Sequence, residues 1–176
     1  VADNPDRTHC IGAYSLGKAQ RVIKHLRLAG HDRPIYIHGS LEKLCEVYEA
    51  AGVTLGELRP ATLEDRSKAA REAFRGEIVI APPGAFEGKW AQRFPDPVIG
   101  FASGWMSVKQ RAKQRGVELP LVISDHADWD ELTDTIREVD PQDLWITYGR
   151  EDALVTALRD KYEGGAAPAP APAPAP

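Results

Sequence analysis

The chain has 176 residues, 43% hydrophobic and 27% charged, with a formal charge of −4. That suits one ordinary domain or two small lobes of a globular protein, and the bulk charge does not announce a nucleic-acid binder. No apolar run approaches the roughly 20 residues a membrane-spanning helix needs, and no secretory segment opens the chain, so no membrane partner and a cytoplasmic location are expected.

Val1 stands where a methionine would start a gene product, and residues 1–8 read as a linker, so an excised piece is expected. His9 to Tyr14 reads as a first strand, followed by Ser15-Leu16-Gly17. Ala19, Val22, Ile23 and Leu26 then recur at helical spacing, and Gly30 is a natural stop. Pro34 to His38 predicts a second strand, and Leu41, Leu44, Cys45 and Tyr48 a second helix ending at Gly52. Strand–helix alternation with short connections implies parallel strands and right-handed crossovers. Cys10 and Cys45 fall at buried positions without metal-ligand spacing, as small core residues of a reducing compartment.

Residues 53–60 read as irregular, and Thr62 with Asp65 can open a charged helix through Phe74. Ile78 to Ala81 predicts a third strand, stopped by Pro82-Pro83-Gly84, and Pro97 to Ala102 a fourth. Lys109, Arg111, Lys113 and Arg115 place four cations in seven residues. Such a run can track a phosphate backbone or simply be a solvated face. Leu121 to Ile123 predicts a further strand buried on both faces, and Leu144 to Thr147 another. Asp128 with Glu131 is a capping-box pattern, and Trp129, Leu132 and Ile136 mark one face of the helix it opens. The Ala/Pro run of residues 164–176 reads as a semi-rigid linker.

Parallel strands bring their carboxyl ends to one edge, where ligands of open α/β sheets collect. Asp125 and His126 fall there, and a histidine beside a carboxylate can hold a proton for a phosphate or coordinate a metal. Ser15 and Lys18 at a helix N-terminus can seat a phosphate, or Ser15 can simply cap the helix. His38 reads as a strand-end residue with a local hydrogen bond.

Three segments, 12–21 (GAYSLGKAQR), 101–106 (FASGWM) and 124–129 (SDHADW), together resemble the bacterial DNA-ligase-associated exonucleases of the metallo-β-lactamase/β-CASP class. The resemblance implies an α/β parallel-sheet β-CASP cap over residues 9–119, and a βαβα piece of the metallo-β-lactamase core over 120–163. It implies a hydrolase cutting phosphodiester bonds of DNA, RNA being the lesser expectation, with two zinc ions in the intact family. It assigns His126 to a motif beside the scissile phosphate, with Asp125 adjacent. It puts Tyr148, in Thr147-Tyr148-Gly149, where the family carries a zinc-ligand histidine. A phenol is a poor substitute for neutral imidazole on zinc. The family's His-x-His-x-Asp-His motif is absent from the chain. The resemblance therefore implies a missing N-terminal half as partner, with a DNA ligase as a further partner, and no tight zinc binding or activity by this chain alone. The alternatives are a catalytically inactive relative that binds nucleic acid or a partner, and an unrelated doubly wound domain binding a phosphate or nucleotide at Ser15–Lys18.

Overall fold

A computed structural model describes residues 4–62, 67–114, 116–146, 151–158 and 166–168. The chain divides into two compact units, residues 1–126 and 127–176.

The first unit is a six-stranded, wholly parallel sheet in the order β3-β2-β4-β1-β5-β6. Its strands are β1 (Thr8–Gly12), β2 (Ile35–Ile37), β3 (Leu58–Pro60), β4 (Ile78–Ala81), β5 (Pro97–Ala102) and β6 (Leu119–Leu121). Between them run α1 (Lys18–Leu28), α2 (Gly39–Ala50), α3 (Lys68–Glu72), α4 (Pro83–Phe86) and α5 (Lys109–Gln114), with 3₁₀ turns at Lys89–Arg93 and Gly104–Ser107.

Strand periodicity sorts the core into two layers. Ile11, Ile35, Ile37, Ile78 and Ile80 pack with Ala19, Val22, Ile23, Leu41 and Cys45, the buried faces of α1 and α2. Their alternates Cys10, Tyr36, Val79 and Ile99 pack on the opposite face with Phe74, Phe86, Trp90 and Phe94. Strands buried on both faces read as continuous apolar runs, which is why the central ones were legible. Gly30 has φ +87°, the left-handed stop that glycine adopts without strain.

Several expectations differ from what forms. Arg7 and Thr8 belong to the fold, not to a linker. Arg7 pairs with Glu118 at 2.9 Å, and the Thr8 hydroxyl donates to the Phe74 carbonyl at 2.9 Å. Residues 58–60, read as irregular, form β3 at the sheet edge, where a proline costs no ladder bond. Asp65 lies outside the described residues, and α3 is capped by Ser67, whose side chain accepts from the Ala70 N–H.

The strand expected at 121–123 starts earlier, at Leu119, and is a partly exposed edge strand pairing with β5. Edge position accounts for both the exposure and Pro120. It therefore belongs to the first sheet, and the expected βαβα piece loses its opening strand.

The second unit holds α6 (Trp129–Val139), β7 (Leu144–Ile146), α7 (Glu151–Leu158) and β8 (Ala166–Pro168), with β8 parallel to β7. The capping box is present: Asp128 accepts from the Glu131 N–H at 2.9 Å, and the Asp128 N–H donates to Glu131 at 3.1 Å. Ile136 packs with Ile146, Leu154 and Leu158, while Trp129 and Leu132 of the expected stripe remain exposed. Ala166–Pro168 leaves the expected linker to pair with Leu144–Ile146. Among the described residues no helix is long and apolar enough to cross a membrane.

Both cysteines are free and buried. Burial pushes the Cys10 thiol up to about 12 and raises that of Cys45 against an opposing hydrogen bond from Gln20. Thiolate, not thiol, is the nucleophile. Native protein at neutral pH is expected to resist iodoacetamide and to label at both cysteines once denatured, as read by intact mass. Rapid labelling of the native chain would mean that the sheet opens at Cys10.

Candidate functional site

The chain enters its site where the connections reverse direction. After β1 the chain moves through α1, on one face of the sheet, to β2. After β5 it moves through α5, which packs Ala112 against Phe101 on the opposite face, to β6. Since β1 and β5 are neighbours, their carboxyl ends diverge and leave a crevice, the usual ligand position of such sheets.

A cavity of about 600 Å³ occupies that crevice, lined by Tyr14 and Lys18 after β1, residues from Ser103 to Val108 after β5, and Ser124 and His126 after β6. Three loops distant in sequence thus build one site. Gly104 allows the closest approach. A Cβ there would meet the Ser124 Cβ and Oγ at 3.2 Å.

Lys18 lies at the bottom. Its side chain is only 4% exposed, and its ammonium meets Asp125 Oδ1 at 2.8 Å. The same ammonium stands 5.3 Å from the Tyr14 ring centroid, a cation–π distance. The hydrogen bond from Lys18 holds the Asp125 carboxyl below its ordinary value. His126 is open to solvent, with Nε2 3.7 Å from Asp125 Oδ1. Its backbone N–H donates to Ser124 Oγ at 3.2 Å, and Ser124 Oγ in turn donates to the His126 carbonyl at 3.3 Å. Arg21 Nη1 donates to the Ser124 carbonyl at 2.6 Å. The histidine therefore projects from a braced loop, free to meet a ligand at the rim. On the β5 side, Ser103 Oγ accepts from the Trp105 N–H at 3.3 Å, and Ser107 Oγ donates to the Gly104 carbonyl at 2.9 Å.

Of the residues singled out in sequence, the structure brings together Lys18, Asp125 and His126. Ser15 does not cap α1. The cap is Gly17, at φ +79° and with no side-chain hydrogen bond, while the Ser15 carbonyl accepts from Gln20 Nε2 at 2.9 Å. The expected row of free N–H groups is partly spent, because those of Lys18 and Ala19 donate to the Leu16 and Tyr14 carbonyls, each at 3.0 Å. Lys18 faces inward on Asp125 rather than standing as an open phosphate contact. Lys109 and Lys113 are exposed on α5, just past the cavity wall at Val108. The Arg111 side chain, Arg115 and Tyr148 lie outside the described residues.

His38 takes the local role expected of it. Its Nδ1 accepts from the Ser40 N–H at 3.1 Å, capping α2, and its ring meets Trp90 edge-on at 5.0 Å. Sequence reasoning overlooked Tyr14, Ser103, Trp105, Ser107 and Ser124 as cavity residues. For all but Ser107, which directly follows the second of them, the only signal was membership in the three quoted segments.

The donor set does not fit the two zinc ions that the resemblance implies. Among the described residues no group of three His, Cys, Asp or Glu side chains could hold a metal. The one Asp–His pair at the cavity has its Asp125 oxygen committed to a lysine ammonium.

No family model matches the chain, and no solved structure matches it. Over 161 residues, 92% of its length, the chain is 27% identical to a protein of Opitutus terrae named "Probable DNA ligase". The chain spans only 15% of that protein's length.

Proposed function

We propose that this chain is the β-CASP-type, strand-binding part of a hydrolytic DNA-processing protein, whose metal-bearing half it does not itself supply. The observation that carries the reading is His126, exposed on a braced loop at the rim of a crevice where an α/β sheet receives its ligands. An imidazole there can donate a hydrogen bond to a phosphate oxygen or a proton to a leaving oxygen. The resemblance of the three segments that line this crevice supplies the nuclease class. The similarity to a protein named as a DNA ligase supports DNA as the polymer and a ligase as associate. In this reading Lys109 and Lys113 hold backbone phosphates beside the cavity, and Lys18 organises the site from within.

One feature favours a second reading, a catalytically inactive DNA-binding relative: Tyr148 stands where the family carries a ligand histidine. Cleavage by the full-length protein decides between the two.

Binding is testable on the chain alone. Single-stranded DNA should bind more weakly as salt rises, because each phosphate that a cation neutralises releases counterions. Substituting Lys109→Gln together with Lys113→Gln should flatten the slope of log affinity against log salt by about 0.7 for each phosphate no longer neutralised. An unchanged slope would return these lysines to a solvated face. No binding even at low salt would remove the DNA reading.

A further inference from the structure

Two aromatic residues of the cavity have no part in phosphate chemistry. Tyr14 is 57% exposed and Trp105 is 60% exposed, and both line the same crevice, one from the loop after β1 and the other from the loop after β5. Large aromatic rings ordinarily bury most of their surface, so two that expose more than half of it in one cavity offer flat apolar area to a ligand. We propose that Tyr14 and Trp105 form a nucleobase-stacking subsite, so that the cavity takes the unpaired, base-bearing end of a DNA strand. The proposal rests on the DNA reading above and specifies the substrate class of that site.

The charge arrangement favours a base over a bare phosphate inside the cavity. Its one lysine, Lys18, is neutralised by Asp125 at 2.8 Å and almost closed to solvent. That ammonium instead lies 5.3 Å from the Tyr14 ring centroid, where it holds the ring in place. The serines are engaged locally. Ser103 accepts from the Trp105 N–H, Ser107 donates to the Gly104 carbonyl, and Ser124 braces His126. These bonds fix the loops that carry Trp105 and His126, so less ordering is needed when a ligand arrives. The volume, about 600 Å³, lies within the roughly 300–1,000 Å³ of small-ligand clefts. With aromatic walls inside and Lys109 and Lys113 outside, the base enters and the backbone stays on the helix. Duplex DNA keeps its bases stacked on each other and cannot offer one without the cost of flipping it. Aromatic stacking is also tolerant of sequence, so any of the four bases is accepted.

The test measures affinity of the full chain by fluorescence anisotropy. The probes are a labelled thymidine oligonucleotide, the same backbone carrying abasic tetrahydrofuran residues, and a blunt duplex of equal length. The abasic strand should bind about 5- to 150-fold more weakly for each stacked base removed. Trp105→Ala and Tyr14→Ala should each weaken thymidine-oligonucleotide binding within that range and leave abasic binding unchanged, whereas Trp105→Phe should retain most of the affinity. Both side chains are largely exposed, so equal melting temperatures will show that the variants fold. Equal affinity for the abasic and base-bearing strands would overturn the stacking subsite while leaving the DNA reading standing. Failure to bind either strand would overturn both.

Discussion

On the proposed nuclease reading, His126→Ala in the intact protein is expected to slow phosphodiester cleavage by about 10²–10⁴-fold, the usual cost of losing a general acid or base, with the melting temperature unchanged. The stability half of this expectation follows from exposure. The side chain is 87% exposed, and the loop is held by Ser124 through the backbone of residue 126, which alanine retains. The rate half follows from position, since the imidazole stands exposed at the cavity rim with Nε2 3.7 Å from Asp125 Oδ1. Single-turnover cleavage with a melting curve for each variant checks both. A rate within twofold of the parent would exclude a proton-transfer role. A large fall in melting temperature would show that His126 supports the fold instead.

Asp125→Ala should produce the largest loss of stability among cavity substitutions. It leaves the Lys18 ammonium, 4% exposed, without its carboxylate. Breaking a fully buried pair costs about 3–5 kcal/mol. Asp125 itself is 38% exposed, so solvent screens part of the interaction, and about 1–3 kcal/mol is the appropriate scale. Each kcal/mol lowers the melting temperature of a domain of this size by about 2–8 °C. The double replacement Lys18→Met with Asp125→Asn removes both charges and should recover most of the loss, because an uncompensated charge costs more than an absent pair.

The same pair sets an acid limit. Lys18 holds the Asp125 carboxyl below its ordinary value, so the native state favours the ionised form. Its contribution is complete above the unfolded aspartate range, near about pH 4, and is lost as pH falls from there through the lower folded value. Melting Lys18→Met against the parent between pH 7 and pH 3 should show the difference between them shrinking on the acid side. A constant difference would mean that Asp125 is held by something other than Lys18.

Much of the first unit was legible in the sequence, for a local reason. β1, β2, β4 and β5 are buried on both faces by packing within the unit, so each reads as an apolar run, and α1 and α2 carry their buried faces as helical stripes. The Asp128–Glu131 capping box was also legible, because all its partners lie within one helical turn. The edges were not. β3 and β6 are short, partly exposed and contain proline, so their strand character comes from the neighbours β2 and β5 rather than from their own residues. β8 likewise exists only as a partner of β7.

At the candidate site, local patterns alone place Lys18, Asp125 and His126 after strands, at the edge where ligands of such sheets bind. What surrounds them there depends on the folded sheet. It turned Lys18 inward onto Asp125, across more than a hundred residues of chain, and left His126 open at the rim. It also gathered Tyr14, Trp105 and Ser124 around one cavity. The physical reason is that strand and helix signals are short-range, repeating every two or 3.6 residues. Which loops meet is fixed by strand order, and the placement of β1 beside β5 is a property of the whole sheet that no local pattern carries.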